Sequence, residues 1–260
     1  MGKFFIKNEQ INGNKVIITG EDVNHIKNVL RLNVNNEIHV CNSETSENYI
    51  CKIKNLPNKT TSDIECEIIK KIDNISEGNV ILHIFQGIPK SDKMELIIQK
   101  GTELGVAEFI PVNFKRCVAK ISGKDEIKKI DRWNKISEVA AKQCGRDIVP
   151  KVRNIEKVEQ IGEEFKNYDL VLVAYELEDK NYIKNELLKI KKEKKNYKIA
   201  VVIGPEGGIE KSEVEILKSF GGRIISLGKR ILRTETVAMQ VSSIIMYELE
   251  NSGGNNFGKS

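Results

Sequence analysis

Residues 198–204 read KIAVVIG, a run of β-branched and small apolar residues with the length of a buried strand. PEGG follows at once, and then Val214, Leu217 and Phe220 recur at helical spacing with Gly221 placed to stop a helix. A strand that enters a glycine turn and leaves as a helix is the repeating unit of an open α/β sheet. The carboxyl ends of its strands form the usual ligand crevice, and glycine there permits positive φ and close backbone approach. The same order recurs along the chain. VILHIFQ, AEFIPV, DLVLVAYE and RIISL are further strand candidates, each leading to a turn and a helical pattern. From residue 80 onward the order βαβαβαβαβα predicts a parallel α/β sheet with ligand loops at one edge.

The glycine turn does not fit the common phosphate motifs. A dinucleotide fingerprint needs G-x-G-x-x-G, whereas Pro205 and Glu206 stand between Gly204 and the pair Gly207 and Gly208. A phosphate loop needs four residues between its glycine and G-K-[ST], and the stretch 222–230 offers neither that spacing nor the terminal hydroxyl. Glu206 also repels phosphate, so the ligand is not a polyphosphate. A second loop, LGKRILRTET over 227–236, follows RIISL. Val237, Val241, Ile244 or Ile245 and Leu249 then mark a helix that Thr234 or Thr236 can cap. Only eight of the 42 basic residues are arginine, and Arg230 and Arg233 both fall in this loop. A guanidinium offers anions and nucleobase edges a planar fork that lysine lacks.

Further basic residues fall at element ends. In KSDKMELIIQKGTELGV, over 90–106, Asp92 and Glu95 form a capping-box pattern. Met94, Ile97, Ile98, Gly101 and Leu104 make one apolar face before Gly105, which leaves Lys90 and Lys93 at a helix start. Arg116 follows the strand AEFIPV. Arg146 follows a helix over 127–144 that buries Ile130, Trp133, Ile136 or Ser137, and Ala140 or Ala141 and ends at Gly145. A loop-built cleft can gather all four cations. The first 72 residues read instead as short alternating strands, FFIK, KVIITG, EIHVCN, NYICKIK and ECEIIKKI, punctuated by Asn12-Gly13, Asn35-Asn36 and Pro57-Asn58, as in a small β-barrel or sandwich. One helical interruption, VNHIKNVLRL, puts Val23, Ile26, Val29 and Leu30 on one side, with His25 and Arg31 off it.

IGPEGG, LGKRILRTET and KSDKMELIIQKGTELGV together resemble the RsmE-like 16S ribosomal RNA uridine-N3 methyltransferases of the SPOUT class, and the resemblance covers about residues 1–250. It implies S-adenosylmethionine as methyl donor, a trefoil-knotted parallel-sheet domain over 73–250, a PUA-like β-barrel RNA-binding domain over 1–72 and a homodimer. The cytoplasmic location expected is read instead from five cysteines that suit reduced thiols, with no signal peptide and no apolar run of membrane-spanning length. The donor cradle it implies is Ile203, Gly204, Pro205, Glu206, Gly207, Gly208, Leu227, Gly228, Ile231, Leu232 and Thr234. Glu206 there reaches a ribose hydroxyl or the methionine amine, or serves the turn alone. Arg233 is the implied electrostatic catalyst, with Glu235 as proton acceptor or as the group that orients Arg233. His25, Arg31, Lys90, Lys93, Arg116 and Arg146 are implied RNA contacts. At Arg116 the chain has KRC where the family pattern has an acidic residue, arginine and serine. The substrate implied is 16S rRNA, free or within the small subunit. The alternative is a non-catalytic RNA-binding or ribosome-assembly protein on the same scaffold.

Composition is compatible with this. A net charge of +5 permits an RNA partner without requiring one. Five cysteines, Cys41, Cys51, Cys66, Cys117 and Cys144, lack metal-ligand spacing, and His25, His39 and His83 are dispersed, so no metal site and no membrane span are expected. KKEKK at 191–195 reads as a solvated helix end or loop, and residues 251–260 as a mobile tail.

Overall fold

A computed structural model describes residues 3–57, 62–73, 76–119, 121, 123–190 and 196–250. The KKEKK stretch and the carboxyl-terminal tail lie outside them. Contacts divide the chain into two compact units, Met1–Glu77 with Ala141–Val149, and Gly78–Ala140 with Pro150–Ser260.

The first unit carries β1 (Lys3–Ile6), β2 (Ile11–Asn12), β3 (Lys15–Ile18), helix α1 (Glu21–Asn24), β4 (Glu37–Asn42), β5 (Asn48–Asn55) and β6 (Ile64–Ile72). The sheet order is β1-β4-β5-β6-β3-β2, with β1 and β4 parallel and the other pairs antiparallel. Phe4, Ile18, Ile38, Val40, Ile53 and Ile64 fill its core. The interruption between β3 and β4 departs from a regular helix. After α1, residues His25–Val29 form a wider π turn, in which the Leu30 N–H donates to the His25 carbonyl at 2.9 Å. The extra residue rotates the following side chains. Ile26 is buried, but Val29 is 63% exposed and Leu30 is also exposed, so the four apolar residues do not share one face.

The second unit carries β7 (Val80–Gly87), α2 (Lys93–Glu103), β8 (Val106–Val112), α3 (Lys124–Cys144), β9 (Lys151–Val152), α4 (Val158–Glu164), β10 (Leu170–Ala174), α5 (Ile183–Ile190), β11 (Tyr197–Ile203), α6 (Lys211–Ser219), β12 (Arg223–Ile225) and α7 (Thr234–Leu249). The last turn of α3 groups with the first unit. The sheet order is β12-β10-β11-β7-β8-β9 and every pair is parallel. This is the predicted α/β sheet with one more strand, because two-residue β9 is too short to stand out as an apolar run. Both faces are covered, which is why the strands are near-continuous apolar runs and do not alternate. Met94, Ile97 and Ile98 of α2, Trp133 of α3, and Val241 and Ile245 of α7 pack on one face, while Ile161 of α4 and Val214 and Leu217 of α6 pack on the other. Trp133 is thus a core residue, 4% exposed.

Two predicted helix caps are not made. Asp92 precedes α2 with no side-chain cap bond, and Glu95 pairs instead with Arg132. The residue before α7 is Arg233, with extended backbone at φ −69° and ψ 150°, and neither threonine caps the helix. The Thr234 hydroxyl is engaged elsewhere, at the functional site.

Candidate active site

The chain leaves β11 at Ile203 into the turn 204–208, closed by a hydrogen bond from the Gly208 N–H to the Pro205 carbonyl at 2.9 Å. Gly208 has φ +72°, and a Cβ there would run into the Glu176 carboxylate from the end of β10. Only glycine meets both demands. At the end of neighbouring β7, a Cβ on Gly87 would stand 2.5 Å from the Pro205 nitrogen, so glycine here lets the turn approach.

The second loop runs from β12 to α7 and is fastened to this turn. The Thr234 hydroxyl donates to the Gly204 carbonyl at 2.7 Å and accepts from Gln86 Nε2 at 2.9 Å. Gln86 Nε2 also donates to the Gly87 carbonyl at 2.8 Å. The ends of β7 and β11 and the start of α7 are therefore held by one buried polar chain. Gln86 is fully buried, and among the described residues its Oε1 has no hydrogen-bond partner.

Around these loops lies a cavity of about 590 Å³ at the carboxyl ends of β10, β11 and β12. Residues 203–208 and 226–234 line it, with Ala174, Tyr175, Glu176, Lys93 and Val237. Every residue expected in the donor cradle is on this wall, although Ile231 is 88% exposed and forms a rim, not an enclosed apolar surface. Arg233 lines the cavity with its side chain exposed and, among the described residues, has no ion-pair partner. Sequence reasoning missed residues 174–176, because nothing local says that β10 lies beside β11. It also missed Gln86, whose signal was available: a polar residue closing the apolar run VILHIFQ at the crevice end of a strand.

The electrostatics rearrange the expected roles of Lys93 and Glu235. Lys93 Nζ lies 3.0 Å from Glu206 Oε1 and 3.4 Å from Glu235 Oε2. These carboxylates, the hydrogen bond to Glu206 first, hold the Lys93 ammonium above its ordinary pKa. The Lys90 N–H also donates to Glu206, at 3.1 and 3.2 Å to its two oxygens. Burial pushes the Glu206 carboxyl up, but Lys93 and the backbone donors outweigh it, so Glu206 sits below its ordinary pKa and is ionised. Glu235 is 14% exposed in its side chain and is not on the cavity wall. It faces Lys93 and does not orient Arg233, which removes the second of its two expected roles.

The other basic residues separate. Arg116 donates from Nη1 to the Gly207 carbonyl at 3.1 Å and stands at the turn, as do Lys90 and Lys93. Arg146 does not join them. It is 5% exposed, belongs to the first unit, and its guanidinium donates from Nε and Nη2 to both Glu77 oxygens, at 3.1 and 2.6 Å. A buried arginine paired in this way is a structural cation, not an exposed RNA contact. His25 and Arg31 are exposed on the first unit, with Arg31 at φ +53°. Among the described residues no group of three or more His, Cys, Asp or Glu is placed to hold a metal, and no helix is long and apolar enough to cross a membrane.

Comparison with known proteins agrees with this geometry. Residues 76–246 match the family model of the RNA methyltransferase domain, and residues 18–69 that of the RNA methyltransferase PUA domain. The ribosomal RNA small subunit methyltransferase E of Bacillus subtilis (strain 168) is 37% identical over 234 residues, covering 90% of each chain. The protein of that name from Mesomycoplasma hyopneumoniae is 32% identical, covering 92% of this chain and 96% of its own. Among solved structures, a ribosomal RNA small subunit methyltransferase E from Neisseria gonorrhoeae bound to S-adenosyl methionine superposes with a TM-score of 0.82 at 26% identity, covering 95% of this chain and 97% of that one. A putative methyltransferase from Legionella pneumophila in complex with the cofactor gives a TM-score of 0.81 at 27% identity, covering 94% and 96%. The chain belongs to the ribosomal RNA small subunit methyltransferase E family.

Proposed function

We propose that this protein transfers a methyl group from S-adenosylmethionine to N3 of a uridine near the 3′ end of 16S rRNA. The observation that carries the reading is the cavity of about 590 Å³ whose wall is built from both glycine-containing loops and bears Arg233. Its size suits a small ligand largely enclosed by protein. Its chemistry suits the donor: backbone N–H and C=O groups of 204–208 and 226–228 for the adenosine, Ile203, Leu227, Leu232 and Val237 as apolar wall, and the Glu176 side chain with the ionised Glu206 for hydroxyl or ammonium groups. When bound, the donor supplies an electrophilic methyl on a sulfonium sulfur.

Methyl transfer is an in-line displacement, so the chain's main task is to align the attacking nitrogen and exclude water. Uridine N3 lies on the Watson–Crick edge and carries a proton, so the base must be unpaired to enter. As that proton passes to water, negative charge spreads toward O2 and O4, and the nitrogen then takes the methyl while the sulfur keeps its bonding pair. The Arg233 guanidinium, free of carboxylate partners among the described residues, stabilises it there. Glu206 is committed to Lys93 and the Lys90 N–H, which suits it to hold a donor group and not to take a proton.

In this reading residues 1–72 are the RNA-binding domain, with Arg31 and His25 exposed, and 73–250 the catalytic domain, with Lys90 and Arg116 at the RNA side of the cavity, whereas the compact units are cut differently, the first running to Glu77 and taking in Ala141–Val149. A trefoil-knotted path through 226–234 fits a segment that starts at edge strand β12 and is fastened at Thr234 to the ends of β7 and β11. The working unit is a cytoplasmic homodimer, and a monomer by sedimentation at micromolar concentration would contradict that. Mass mapping of methylated nucleosides in small-subunit RNA treated with the protein and labelled donor tests the reaction. Absence of donor binding by calorimetry at millimolar concentration would sink it in favour of a non-catalytic RNA-binding protein.

A further inference from the structure

We infer that Lys93 is a positioning residue, not an RNA phosphate contact: its ammonium ties the donor turn to the first turn of α7 by bridging Glu206 and Glu235. This role rests on the methyl-transfer reading above. Three separate segments meet at Nζ, namely the first residue of α2, the turn after β11 and the second residue of α7, at 3.0 Å to Glu206 Oε1 and 3.4 Å to Glu235 Oε2. That Glu235 oxygen is buried and, among the described residues, has no hydrogen-bond partner, so the Lys93 charge is its compensation. Arg233 lies two residues before Glu235, as the residue preceding α7. What fixes Glu235 against Glu206 therefore fixes Arg233 against the donor turn.

Two local oddities point the same way. A lysine at the first position of a helix opposes the helix dipole, which favours anions there. Ser91, two residues earlier, is a non-glycine residue at φ +54°, a left-handed conformation that costs free energy and is retained where the surroundings over-determine it. Both are explained if the loop's task is to deliver this ammonium to two carboxylates. The charge count argues against phosphate. One ammonium between two carboxylates sums to −1, and such a cluster repels an RNA backbone.

The test compares Lys93→Met, Glu235→Gln and the double variant. Without donor or RNA, urea unfolding should be strongly non-additive. Lys93→Met alone leaves Glu235 without its ion pair and Glu206 with the Lys90 N–H as its remaining partner, and coupling of about fivefold or more in the unfolding equilibrium is expected across the pair Lys93–Glu235. In methylation assays, Lys93→Met should lower kcat about tenfold or more at saturating RNA, keep the RNA KM within about twofold and leave the salt dependence unchanged. Lys93→Arg should recover part of the loss. A raised RNA KM with kcat intact and a salt slope shallower by about one would assign Lys93 to a phosphate and overturn the inference. Additive unfolding effects would overturn it too. If Lys93→Met does not fold, Lys93→Arg and Glu235→Gln carry the same comparisons. Donor calorimetry on the wild type separates the two failures, because a protein that binds no donor refutes methyl transfer while the unliganded cycle still decides the bridge.

Discussion

Thr234→Val isolates the fastening between the two loops. The substitution conserves shape and removes one hydroxyl, which accepts from Gln86 Nε2 at 2.9 Å and donates to the Gly204 carbonyl at 2.7 Å. Gln86 is fully buried and gives its other amide hydrogen to the Gly87 carbonyl, so the hydrogen that loses Thr234 is orphaned. Orphaning a buried donor costs about 1–3 kcal/mol. The Gly204 carbonyl is half-buried beside the cavity, is partly rehydrated, and adds about 1 kcal/mol or less. The sum, about 1–4 kcal/mol, corresponds to a Tm lower by about 2–16 °C for a unit of this size. Donor affinity should fall about tenfold, since the turn that holds it is released. Thr234→Ser keeps the hydroxyl and should restore most of both. In Gln86→Leu/Thr234→Val the orphaned amide is gone, so this double variant should be more stable than Thr234→Val alone. Differential scanning calorimetry with donor titration measures all of these. A Tm for Thr234→Val within about 1 °C of wild type would refute the claim that this polar chain holds the site together.

Gly208→Ala should cost about 1–2 kcal/mol for a left-handed alanine and should weaken donor binding further by displacing the Glu176 carboxylate, as equilibrium dialysis would show; wild-type affinity would contradict the turn's role. Arg233→Ala should lower kcat by about a hundredfold or more while leaving Tm and donor affinity near wild type, because the side chain is exposed and has no ion-pair partner among the described residues; transfer at the wild-type rate would remove it as the electrostatic catalyst. His83 bonds Tyr168 at 2.9 Å, and burial first, then Lys198 and Arg153, lowers its pKa to about 4, so it is neutral in the folded protein at neutral pH. The unfolded chain protonates this histidine first, so its contribution is full above about pH 6.5 and is lost progressively down to about pH 4, up to ~3 kcal/mol. Burial raises the Glu108 carboxyl and offsets part of this. Urea unfolding between pH 7 and 4.5 should therefore show a shallower pH slope in His83→Gln, and equal slopes would refute the assignment.

The parallel sheet was legible in the sequence because strands buried on both faces are continuous apolar runs, as in KIAVVIG and VILHIFQ, and the crevice followed because α/β ligand sites collect where such strands end. What escaped was shorter or depended on partners distant in sequence. Two-residue β9 leaves no pattern, and the π turn after α1 has the composition of an ordinary helix. The basic residues at element ends show the second limit most clearly. Lys90, Lys93, Arg116, Arg146 and Arg233 all stand at element ends, and local sequence reports their charge but not its neutralisation. Arg146 meets Glu77 from 69 positions away, Lys93 meets Glu206 and Glu235 from more than a hundred, and Arg116 donates to the Gly207 carbonyl. Lys229, Arg230 and Arg233, in the loop 227–236, line the cavity with no ion-pair partner among the described residues. Arg233 alone of these three adjoins Thr234, whose hydroxyl is fastened to the donor turn. A guanidinium must be both unneutralised and held in place to stabilise charge that exists only in a transition state, and that pairing of properties, invisible in the spacing of the residues, is what supports the role proposed for Arg233.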